Sequence, residues 1–313
     1  MVEKKKIIVL IGITLTLIIM AFLIKDFVES WNNIKPYLAV IRLNWFVLAV
    51  ITYVVAFILT GNNWAYLVWL IESNVQRVDL LNIHVTSAVA RYIPGGIWNI
   101  LSKAYLCSKR GVGRSTTTAS IILEYVFQIV SSGLFLIVFL LLKTYNNVFL
   151  AETYIIAILV SVLLLLIPSS IKLGTKMICK IFRENDNNIV LDKKIVYIVI
   201  LRYTLVWITT GFSFIFLAKA FTEINILQGI YLILSYPLSW CLGFLSPSPN
   251  GIGVREAMLG FLLSSSYNHD FVLLLAIASR FLTILGEVIA FTVFKIIFHC
   301  LKRVKINNRA DKV

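Results

Sequence analysis

Polar residues are sparse along this chain, and the gaps between them define its elements. Apolar runs at about 7–24, 45–71, 117–142, 153–171, 195–221 and 270–296 are each long enough, at 1.5 Å per residue, for a hydrocarbon core of about 30 Å. Two further segments break the pattern. Residues 80–107 contain "HVTSAVARYIPGGIWNILSKAYL". The arms 82–93 and 97–107 are too short to cross, and Pro94-Gly95-Gly96 hinges them, which predicts a re-entrant hairpin. Residues 226–267 contain "LSPSPNGIGVRE", in which prolines, glycines and Asn250 forbid a regular helix. The stretch 254–267 is too short to span. Residues 226–246 could span alone, but a hairpin arm beginning in the interface suits the charge distribution better.

That distribution sets the orientation. With both termini cytoplasmic, the basic clusters around Lys4, Lys109, Lys172, Lys193 and Lys302 share one side. The other side receives only Lys25, Lys35, Arg42, Lys143 and Lys219. The element order is then span, span, hairpin, span, twice over, with the second copy starting from the opposite side. The expected fold is an all-α integral membrane protein of about six full spans plus two re-entrant helical hairpins, in an inverted-topology repeat. It forms one polytopic domain over 1–313, with pseudo-repeats at about 1–145 and 146–300 and a basic cytoplasmic tail at 301–313. No small-xxx-small face predicts an oligomer.

Composition agrees and excludes other classes. The chain is 59% hydrophobic and 14% charged, with a mean hydropathy of +0.90, which is not the composition of a soluble domain. The net charge of +14 does not point to nucleic acid, because the basic residues follow the positive-inside pattern. The basic loop 172–194 also suits anionic lipid heads. Lys4, Lys5 and Lys6 before Ile7–Ile24 resemble a signal peptide, but no cleavage pattern follows, so an uncleaved first span is expected. Cys107, Cys179, Cys241 and Cys300 are scattered and lack metal-ligand spacing. No hydrolytic motif is present, and His84, His269 and His299 lie far apart near predicted interfaces. No catalytic residue, metal or cofactor is expected, and the chain does not read as an enzyme.

The candidate chemistry lies at the breaks. Each hairpin would place a helix N-terminus inside the membrane, near Ile97 and near Val254. Such ends present free N–H groups and partial positive charge to anions, phosphate above all. Arg91, Gly95, Gly96, Asn250, Gly251, Gly253, Arg255 and Arg280 are the candidate headgroup-binding residues. Glu124, Glu256 and Glu287 are candidates for charge balance or proton coupling. Glu124, Gln128 and Ser131 share one helix face, as do Arg280, Thr283 and Glu287. Arg280 and Glu287 also read as interhelical hydrogen-bonding residues. Lys103 and Arg202 read as side chains snorkelling to the cytoplasmic surface. Asn62 and Asn63 fall deep in the second span, and "GVGRSTTTAS" reads as a loop feeding the third.

The pair "RYIPGGIWNILSKAYLCSKRGV" and "SPSPNGIGVREAML" resembles the lysylphosphatidylglycerol synthase transmembrane-region family, also called flippase-like domain proteins. The resemblance covers most of the chain, including the spans that carry Glu124 and Arg280. Asn250 stands where many relatives have glycine, and asparagine also suits a tight turn. In multiple peptide resistance factors this membrane part is joined to a soluble aminoacyltransferase domain and moves that domain's product lipid between leaflets. This sequence ends at Val313 after a short basic tail, so aminoacyl transfer is not expected. The resemblance implies a lipid translocase of the cell membrane, binding an anionic phospholipid or a polyprenyl-phosphate-linked lipid at a mid-membrane polar site. A second reading is a non-transporting partner that scaffolds, or presents lipid to, a glycosyltransferase or lipid-modifying enzyme. Small-solute transport is a third.

Overall fold

The computed structural model describes residues 25, 28–92, 98–145, 192–246, 248 and 251–310. All regular structure among them is helical. The helices are α1 (Trp31–Ala39), α2 (Leu43–Ile71), α3 (Arg77–Ala88), α4 (Trp98–Ser108), α5 (Arg114–Tyr145), α6 (Lys193–Lys219), α7 (Ile226–Leu245), α8 (Val254–Leu263) and α9 (His269–Ala310). A 3-10 turn, Val89–Tyr92, continues α3. The expected spans at 7–24 and 153–171, the Pro94-Gly95-Gly96 hinge and Asn250 lie outside the described residues.

Five described helices are long and apolar enough to cross a membrane: α2, α5, α6, α7 and α9. The chain is therefore a multi-pass membrane protein. Four of these match expected spans. The fifth, α7, coincides with the segment 226–246 that was expected either to span alone or to form a hairpin arm, and its 20 residues reach about 30 Å. Its start is fixed by a reciprocal cap: Gln228 N–H donates to Asn225 Oδ1 at 2.8 Å, and Asn225 N–H donates to Gln228 Oε1 at 3.1 Å. The helices α3, α4 and α8 have 12, 11 and 10 residues, hence lengths of about 15–18 Å, and none crosses alone. Each packs on a neighbour in sequence, α3 on α4 and α8 on α7.

The broadest helix pair is α2 against α6. One closure point is the α6–α7 crossing, where a β-carbon on Gly211 would lie 3.0 Å from the Ile233 backbone. Leu217, Leu232, Leu263 and Leu275 fill the main core fully buried, joining α6, α7, α8 and α9. Hydroxyls in this apolar setting turn back on their own helices: Thr60 donates to Ala56 O at 2.9 Å and Thr210 to Val206 O at 2.8 Å. They need no partner elsewhere. The helix α1 was not legible in the pattern because Pro36 interrupts it. It holds by burying Ile34 and by donation from Asn33 Nδ2 to Asp270 Oδ2 at 3.0 Å, at the start of α9.

Candidate functional site

The site begins where α7 ends and α8 starts. The backbone turns through two left-handed glycines, Gly251 at φ 65° and Gly253 at φ 83°. A β-carbon on Gly251 would lie 2.8 Å from the Gly243 backbone, so the turn folds directly onto α7. Glu256 reaches back and accepts from Gly253 N–H at 2.6 Å, half of a capping box whose other half glycine cannot supply. The other Glu256 oxygen accepts from Arg280 Nε at 2.8 Å, and Arg280 Nη2 donates to Gly251 O at 3.3 Å. The turn is thus tied to α9 through one arginine.

Arg255, next to Glu256, is held differently. It is 9% exposed, and its guanidinium lies 5.3 Å from the Tyr236 ring centroid. Its Nε is buried with no hydrogen-bond partner, and among the described residues no carboxylate pairs with it. Its aliphatic stem lies across Gly243, where a β-carbon would overlap it.

A second cluster surrounds Glu287 on α9. Arg91 Nη1 donates to Oε1 at 2.7 Å and Tyr53 Oη to the same oxygen at 3.3 Å, while Tyr92 Oη donates to Oε2 at 2.9 Å. A third lies at α4 and α5. Lys103 Nζ donates to Glu124 Oε2 at 2.6 Å and sits 4.3 Å from the Trp64 ring centroid. His84 Nδ1 is 3.8 Å from Glu124 Oε1. Lys103, expected to snorkel, is 4% exposed, and His84, expected near an interface, is 3% exposed. The cause is local. The α4 helix is tucked against α3 and α5, so the face bearing Asn99, Lys103 and Cys107 points inward. Arg202 is half-buried, donating from Nε to Asn63 Oδ1 at 2.9 Å with its guanidinium over Tyr66. The expected stripe on α5 also faces in: Trp207 Nε1 donates to Gln128 O at 3.1 Å and Ser131 Oγ at 3.0 Å.

The clusters are neighbours. Arg280 and Glu287 share a face of α9 at i, i+7, and His84 and Arg91 are joined by the run of α3 into the 3-10 turn. Among their members, Arg91, Lys103, Arg255 and Arg280 face only Glu124, Glu256 and Glu287. One positive charge is left over, and the pairing places it on Arg255. Of the expected residues the structure thus joins Gly251, Gly253, Arg255, Glu256 and Arg280 at one turn, with Arg91 and Glu287 beside it and Glu124 further along α5. Gly95, Gly96 and Asn250 lie outside the described residues. Tyr53, Tyr92 and Tyr236 were not anticipated; only Tyr92, adjacent to Arg91, carried a positional hint.

A family model described as lysylphosphatidylglycerol synthase TM region matches residues 9–290. No curated protein matches the chain.

Proposed function

The chain belongs to the lysylphosphatidylglycerol synthase TM region family, and on that premise we propose that it binds the anionic headgroup of a membrane lipid at Arg255 and carries it across the cell membrane. The lipid is an anionic phospholipid or a polyprenyl-phosphate-linked lipid. In this reading α3–α4 and α7–α8 are re-entrant hairpins of an inverted repeat, both termini are cytoplasmic, and the chain transports without catalysing a reaction. The start of α8 and the Arg255 guanidinium provide donors for phosphate oxygens, while the lipid tails stay in the bilayer. Arg91 and Arg280 shape the site's field but are already paired with Glu287 and Glu256.

The observation that carries the reading is the buried Arg255, whose Nε has no hydrogen-bond partner and which pairs with no carboxylate among the described residues. An arginine at mid-membrane costs about 2.5–3.5 kcal/mol even on the most lenient scale, so it persists there with a partner or a task. A phosphate-bearing ligand offsets that cost and removes the site's excess charge. The test is transfer of a fluorescent anionic phospholipid between leaflets of proteoliposomes. Wild type should accelerate transfer and Arg255→Ala should not. Equal rates in both would remove Arg255 from the pathway. Specific binding without transfer would instead favour presentation of the lipid to a partner enzyme.

A further inference from the structure

We propose that Glu124 binds a proton together with the anionic headgroup, making the Glu124–Lys103–His84 cluster the coupling site of the transporter; this rests on the headgroup reading above. The three buried glutamates differ in how their oxygens are occupied. Both oxygens of Glu287 accept hydrogen bonds, from Arg91, Tyr53 and Tyr92. Both oxygens of Glu256 accept, from Arg280 and Gly253 N–H. Protonating either would orphan a buried donor beside a guanidinium that keeps its charge. Glu124 differs. Lys103 occupies Oε2, whereas Oε1 accepts no hydrogen bond among the described residues; its nearest polar neighbour, His84 Nδ1, lies at 3.8 Å, beyond hydrogen-bond reach.

The surroundings are built for a small polar guest. Both His84 nitrogens, Trp64 Nε1, Tyr203 Oη and Asn63 Nδ2 are buried without partners. Such groups are the kind a buried water bridges, and a bridging water would also deliver a proton. Charged and titratable groups face this cluster from the elements around it, and Tyr125 lies beside Glu124 on α5 itself. Lys103 and Cys107 come from α4, Arg91 from the 3-10 turn, and Tyr203 with Arg202 from α6; on α9, Glu287 is committed to Arg91 and Lys295 to Asn82. Glu124 Oε1, the carboxylate oxygen of the three clusters that accepts no hydrogen bond among the described residues, takes the proton. Glu124 becomes a neutral acid, and a small approach of His84 would bring Nδ1 within reach as acceptor of the new O–H on Oε1. Lys103 keeps its hydrogen bond to Oε2 and its place over Trp64, and loss of the Glu124 negative charge raises the attraction for a headgroup phosphate. Proton and anion then favour each other's binding reciprocally.

The test uses the full chain in neutral detergent in weakly buffered solution. The probe is dihexanoyl phosphatidylglycerol, whose phosphodiester does not itself titrate near neutral pH. Wild type should take up close to one proton per bound probe, and above the titration midpoint its affinity should fall about tenfold per pH unit. Glu124→Gln should bind with no proton uptake and no pH dependence, and Arg255→Ala should bind no probe. Wild-type binding without proton uptake, or Glu124→Gln uptake equal to wild type, overturns the coupling assignment and leaves the headgroup site standing. Undiminished binding by Arg255→Ala overturns the headgroup site itself. Should Glu124→Gln fail to fold, the wild-type proton count alone decides.

Discussion

Arg280 on α9, rather than the neighbouring Arg255, takes the Glu256 carboxylate, with Nε 2.8 Å from Oε1. Two arginines and one glutamate meet at the turn, and the pairing leaves Arg255 over. Buried charges pair wherever they can, because desolvation costs several kcal/mol per ion. The proposed headgroup site rests on the arginine left without a carboxylate among the described residues.

Arg255→Ala should leave the fold intact. Removing an uncompensated buried charge relieves desolvation, so detergent-solubilised protein freed of bound lipid should melt no lower than wild type. Arg280→Ala, by contrast, takes from Glu256 its charge partner and from the Gly251 carbonyl a donor and should cost about 3–5 kcal/mol. Thermal unfolding of the two variants side by side distinguishes these roles, and a large loss in Arg255→Ala would show that Arg255 is structural.

Gly243→Ala should displace Arg255 without touching its charge. A methyl there overlaps the Arg255 stem and lies 3.4 Å from the Gly251 α-carbon. Overpacking of this kind costs about 1–3 kcal/mol. Chemical denaturation should show that loss, and lipid retention should fall with it; retention equal to wild type would mean that the Arg255 position is not critical.

A double-mutant cycle at Arg91 and Glu287 should give strong coupling. Glu287→Ala leaves Arg91, Tyr53 and Tyr92 without their acceptor and should cost about 3 kcal/mol. Arg91→Met with Glu287→Met should recover much of it. Additive losses would show that the pair contributes nothing as a pair.

Lys103 should be inaccessible to a bulky reagent from the aqueous side. In a background without native cysteines, Lys109→Cys should react with a membrane-impermeant maleimide and Lys103→Cys should not. Equal labelling would restore Lys103 to the surface.

Much of this was legible in the sequence. Hydropathy alone located α2, α5, α6 and α9, because about 20 consecutive apolar residues have few other uses. The glycines of "PNGIGVRE" and the charges after them marked the turn that the structure builds around Gly251 and Glu256. The extent of α7 was legible too, since 226–246 read as long enough to span, and the asparagine cap holds its start. Lys103 was misread because its burial is a tertiary fact. A signal was available, since Asn99, Lys103 and Cys107 recur at i, i+4, i+8 and so share one face of α4. Which arginine pairs with Glu256 was not legible at all. Sequence adjacency favours Arg255, but side chains at i and i+1 of a helix point apart, and the partner came from 24 residues further along.

The most direct measurement is native mass spectrometry of the protein extracted gently from its own membrane, wild type beside Arg255→Ala. An anionic phospholipid or polyprenyl phosphate retained by wild type and lost by the variant is the predicted result. The same lipids retained by both, in bulk-membrane proportions, would contradict the claim that Arg255 holds a headgroup.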